Sequence, residues 1–122
     1  IQVGCGKTGQ DGHCTGKLGT FHVIRSWKEL RDFHEGRSGL PDPPVNFPAQ
    51  MLLVQRLDLC DSCGGAKFTS VCKLEDRVEA YITRRYIPQG TVCLTVLTCM
   101  AIGVVVPASE LPVTAIYSEG VF

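Results

Sequence analysis

The chain has no surplus charge of either sign: twelve Lys and Arg are matched by twelve Asp and Glu. No basic cluster is interleaved with aromatics, so the electrostatic footprint of a nucleic-acid groove is missing. Long apolar runs are missing too. The longest, around 92–97 and 101–107, fall well short of the roughly 20 residues that a membrane-spanning helix needs. No GxSxG, HExxH or phosphate-loop pattern occurs. The three histidines, His13, His22 and His34, are scattered rather than grouped with a nucleophile and an orienting carboxylate. Asp58, Asp61, Glu75, Asp76 and Glu79 fall at strand ends and turns, where solvated charge is the normal finding. No catalytic residue, cofactor or metal is therefore expected. The chain opens at Ile1 rather than at Met, which fits a removed leader or a longer precursor, and no signal peptide is visible.

What is abundant is cysteine. In a chain of 122 residues that is 44% hydrophobic, enough for one domain with its own core, seven cysteines stand at positions 5, 14, 60, 63, 72, 93 and 99. A reducing cytosol gives a small domain little reason to keep so many, so Cys5, Cys14, Cys60, Cys63, Cys72, Cys93 and Cys99 read as the disulfide candidates of an extracellular or periplasmic scaffold. Seven is odd. Three bridges leave one thiol over, and connectivity stays open. The LCDSCGG stretch (59–65) also admits a zinc or redox reading for Cys60 and Cys63. A redox Cys-x-x-Cys, however, needs a following helix, whereas Gly64-Gly65 and a β-type run follow here. Zinc would need a second ligand pair, and none is spaced for it. Cys60 and Cys63, at a strand end, read instead as partners for Cys72, Cys93 or Cys99.

Residues 1–19 are glycine- and cysteine-rich and irregular, and Val3-Gly4-Cys5 echoes the end of a lipobox, which would tether the chain to the cell surface. From residue 20 the chain reads as one α+β domain. Ser26 and Glu29 form a capping box ahead of Trp27, Leu30 and Phe33, and Gly36 suits a stop, so one short amphipathic helix covers about 27–35. His34, at its end, reads as a surface histidine. A proline-rich loop (36–48) precedes five or six mostly antiparallel strands: 51–59, 66–74 with Phe68, Cys72 and Leu74 on one face, 78–87, then TVCLTVLTC, AIGVVVP and VTAIYS. In 78–87 at least one Arg and one Tyr must point outward. Tyr81, Arg84, Arg85 and Tyr86 are accordingly the partner-binding candidates, because exposed Tyr and Arg are enriched in binding hot spots. An exposed sheet edge there would invite strand addition, with the 60–65 loop contributing.

The order of these features resembles the C-terminal domain of the PrcB-like family, cell-envelope subunits of a bacterial protease complex. The matching parts are Trp27-x-x-Leu30 in the helix, Pro44-Val45-Asn46-Phe47 before the hydrophobic strand, Gly64-Gly65 opening the next strand, Pro88-x-Gly90 at a turn and the strand 101–107. The chain departs from the pattern at Cys60–Cys63, at Ala66 and Lys67 where a tyrosine usually follows the glycine pair, and in its extra N-terminal segment. The resemblance implies a non-catalytic, secreted or surface-anchored domain that binds or stabilises a protease. A different class of function is a subunit of an extracellular fibre or surface assembly, in which the odd cysteine bonds between chains.

Overall fold

The structure, a computed structural model, describes residues 2–3, 18–34, 42–61 and 63–122, with the side chains of 2–3, 59–61 and 95–99 left aside. Cys5, Cys14 and Gly36, together with the side chains of Cys60 and Cys99, lie outside that description. So does most of the predicted N-terminal segment, including its lipobox-like motif.

Among the described residues the chain forms β1 (Gln2–Val3), β2 (Leu18–Ile24), α1 (Trp27–Phe33), β3 (Gln50–Asp61), β4 (Ala66–Lys73), β5 (Val78–Arg85), β6 (Thr95–Pro107) and β7 (Val113–Gly120). The α+β expectation of a mostly antiparallel strand set with one helix holds. The count and the arrangement differ: the described residues form seven strands rather than five or six, and these divide into a four-stranded sheet, β1-β6-β3-β2, and a three-stranded sheet, β4-β5-β7, in which β5 and β7 run parallel.

The reason lies in β3. Met51, Leu52, Leu53, Val54 and Gln55 are all buried, so this strand needs cover on both faces. Leu52 and Val54 pack with Ile24, Leu30, Phe33, Val45 and Ala101 beneath the helix. Met51 and Leu53 pack with Ala80 and with Phe68, Val71 and Val113 of the second sheet. One short helix cannot cover both sides of a sheet, so a third layer forms. Each fully buried aliphatic side chain here contributes about 1.5–3 kcal/mol, which makes β3 the spine of the fold.

The helix begins with half of its capping box: Ser26 Oγ accepts from Glu29 N at 3.1 Å, while the Glu29 carboxylate reaches one residue past the N-cap and accepts from Arg25 N. Leu30 and Phe33 are buried, while Trp27 is 38% exposed and meets Phe47 edge-on. His34 is not a surface residue. It is 7% exposed, beside Phe33, and its backbone N–H donates to Leu30 O to cap the helix.

Two further expectations are corrected. The face assigned to Phe68, Cys72 and Leu74 does not exist, because the pairing slips between Phe68↔Ile82 and Ser70↔Tyr81. One extra residue in β4 turns Val71 toward the core and leaves Cys72 exposed. TVCLTVLTC and AIGVVVP are not two strands, since β6 runs unbroken from Thr95 to Pro107 and Cys93 precedes it in a loop. Thr20, where the domain was expected to begin, lies within β2.

Candidate functional site

The cysteine question has a definite part-answer. Cys63 is bonded to Cys93 across a sequence separation of 30, with Cα atoms 5.6 Å apart, a partner within the set that the sequence offered. The Cys60–Cys63 zinc or redox pairing therefore loses one of its two sulfurs in this structure. Among the described residues no three His, Cys, Asp or Glu side chains gather as metal ligands would, and Cys72 is an exposed free thiol.

This disulfide joins the turn before β4 to the 86–94 loop at the end of β5, and several predicted residues meet there. Arg85 Nη1 donates to Cys63 O at 3.4 Å, and its guanidinium carbon sits 4.8 Å from the ring centre of Phe122. Lys67 Nζ lies 4.7 Å from the same ring, so the aromatic ring is shared between a pair of cations. Tyr86 N donates to Gly120 O at 2.7 Å, which places Tyr86 beside Val121. The loop folds back through a turn in which Thr91 N and Oγ1 both donate to Pro88 O. Gly90 there has φ +88°, the left-handed region that favours glycine.

The side chains at this end are apolar where solvent would favour polar ones. Val92 is 91% exposed, Val121 87% and Leu94 71%. With Tyr86, Ile87 and Phe122 they make six of the nine exposed large hydrophobics among the described residues. Scattered exposed apolar residues need no explanation, whereas six at one end of a sheet are a concentration.

Of the four candidates read from the sequence, Arg85 and Tyr86 belong to this patch. Arg84 points to the other face of its strand, in register with Glu119. Tyr81 is elsewhere, on the outer face, where its hydroxyl donates to Glu79 Oε1 at 2.8 Å. Glu79 also accepts from Arg77 Nε at 3.1 Å. The bond to Glu79, with some burial, raises the Tyr81 pKa, and the bonds from Tyr81 and then Arg77 lower that of Glu79. Tyr81 is held by its own strand neighbour rather than displayed. The strand itself offers no edge: β5 is central in its sheet, paired on both sides, so strand addition to 81–86 is ruled out, and among the described residues the edge strands are β1, β2, β4 and β7.

The sequence reading missed Val92, Leu94, Val121 and Phe122. It assigned Val92 and Leu94 to a strand because apolar runs ordinarily go to the core. The signal against that was Pro88-Gln89-Gly90 just upstream together with Cys93, which fix the segment as a tied loop.

A second concavity lies between α1 and β2, whose outer side is unpaired among the described residues, a groove of about 640 Å³ lined by residues 20–24, Glu29, Asp32, Phe33 and Arg56. His22 meets Phe33 edge-on at 4.9 Å, and its Nε2 is 2.7 Å from Thr20 Oγ1. Arg56 lies over the same phenyl ring at 4.8 Å, with Nη2 donating to Phe33 O. Burial, and then the nearby Arg56, push the His22 pKa below its ordinary value.

Comparison with protein-family models, with curated proteins and with solved structures finds no match to this chain.

Proposed function

We propose that this is a non-catalytic, disulfide-stapled domain that works outside the reducing cytosol by binding another protein through the apolar end around the Cys63–Cys93 bond. The observation that carries this reading is the gathering of Tyr86, Ile87, Val92, Leu94, Val121 and Phe122 in exposed positions beside Lys67 and Arg85. Aromatic and arginine anchors within an apolar patch are the usual composition of binding hot spots. The disulfide supports the oxidising compartment, and it limits the loop freedom that docking would otherwise cost. The resemblance to the PrcB-like family suggests a cell-envelope protease as the partner.

The test is a photo-crosslinking residue at position 92 in the protein's native source, followed by mass spectrometry of the adduct. One recurrent protein adduct is expected, at least fivefold weaker when Leu94→Asp or Arg85→Glu is added. Adducts indifferent to both changes would overturn the assignment of this surface.

A second reading, a subunit of an extracellular assembly, is favoured by one observation: Cys72 presents a free thiol on β4, an edge strand. Its mark would be crosslinks only to copies of the same chain and a size that grows with concentration.

A further inference from the structure

We infer that the groove between β2 and α1 is a second binding site, for an extended peptide segment carrying a basic side chain, which adds to the free edge of β2 as an antiparallel or parallel strand. The proposal is independent of the apolar end. Among the described residues β2 is paired on one side only, with β3, so its other row of backbone N–H and C=O groups faces the groove. Strand addition to such an edge supplies affinity through main-chain hydrogen bonds and specificity through alternate side chains. The lining residues Thr20 to Ile24 give an edge about 16 Å long at ~3.3 Å per residue, matched by a segment of about five residues.

What separates β2 from the edges at β1, β4 and β7 is the wall beside it. Glu29 and Asp32 of helix α1, which covers one face of this sheet, line the groove. The cation of the groove, Arg56, is turned to the Phe33 ring and carbonyl. Glu29 meets the backbone of Arg25, and the Arg25 side chain is drawn away to Ser109 O and Leu111 O. His22, with its lowered pKa, adds no charge near neutral pH. The lining thus sets two carboxylates, Glu29 and Asp32, against the one guanidinium of Arg56, which leaves it acidic by a single charge. A lysine or arginine on the incoming strand complements it, and a carboxylate is repelled.

The experiment uses the intact oxidised chain and two synthetic heptapeptides of alternating Thr and Val, one with a central Lys and one with a central Glu, followed by amide NMR shifts. The Lys peptide is expected to shift the amides of residues 20–24 and to bind at least threefold more tightly than the Glu peptide. Asp32→Asn is expected to weaken the Lys peptide about two- to fivefold, as loss of an exposed ion pair does. N-methylation of alternate peptide amides is expected to abolish binding, with amide shifts of the free protein reporting that the variant is folded. Equal affinity for the two peptides, or shifts outside the groove, would overturn the proposal. Shifts of the same amides with protein concentration alone would overturn it as well, by assigning the edge to a second copy of this chain.

Discussion

Gln55 is a polar side chain with no exposure at all, and its bonds explain how it is tolerated. Nε2 donates to Gly19 O at 2.8 Å and Arg56 O at 2.9 Å, while Oε1 accepts from Tyr117 OH at 2.7 Å. The amide thus ties β3 to β2 in its own sheet and to β7 in the other. A Cβ at Gly19 would lie 3.1 Å from Arg56 Cβ, a tight contact that the bare glycine avoids. Gln55→Ala, which leaves the Gly19 carbonyl and a cavity, is expected to cost about 2–4 kcal/mol, and Tyr117→Phe about 1–2 kcal/mol; urea denaturation measures both, and a neutral Gln55→Ala would show the bridge to be dispensable. His22 makes a pH prediction. Its folded pKa lies below its ordinary 6.5, so the unfolded chain takes up the proton first as pH falls. The stability it contributes is complete above about pH 6.5 and is lost as pH falls from there through the lowered folded value. His22→Gln is expected to flatten the dependence of melting temperature on pH in that window, and an unchanged slope would assign it to other groups. None of this was legible beforehand: His22 read as one of three scattered histidines, and a lone Gln in an apolar run gives no sign of its partners 36 and 62 residues away.

At the scale of elements, legibility followed burial. Met51 to Gln55 do not alternate because β3 is covered on both faces, and such an unbroken apolar run was readable as a buried strand. The helix was readable from Ser26 and Glu29 because capping is local chemistry. The faces of β4 were not, because alternation presumes an unbroken register. The extra residue lies at Thr69, whose hydroxyl donates to Tyr81 O at 3.2 Å, and past it every side chain changes face. Cys72 lands outside, opposite Glu79, rather than beside Phe68 in the core. A maleimide added to the folded, unreduced protein is accordingly expected to modify Cys72 while Cys63 and Cys93 stay unmodified, as peptide mapping would show. Protection of Cys72 until denaturant is added would place it in the core after all and remove the register shift.

At the scale of the molecule the fold is three layers, helix, four-stranded sheet and three-stranded sheet, and the two proposed surfaces sit on different ones. The groove belongs to α1 and β2, the apolar end to the sheet of β4, β5 and β7. The α+β class was readable; the parallel pairing of β5 with β7 was not, since β6 between them joins the other sheet and no local signal announces that crossing. This separation makes a last prediction. Replacing Cys63 and Cys93 by Ser removes a link across 30 residues, which by chain entropy is worth about 3–4 kcal/mol. The loss should be concentrated at the 86–94 loop, because β3 and its two cores make no use of the bond. The double variant is therefore expected to unfold at lower denaturant and to lose partner crosslinking at position 92, yet to bind the Lys peptide within about twofold of the parent at temperatures where both are folded. If peptide affinity fell together with crosslinking while the circular dichroism stayed native, the two surfaces would be coupled through the sheets, and the independence argued from their separate layers would fail.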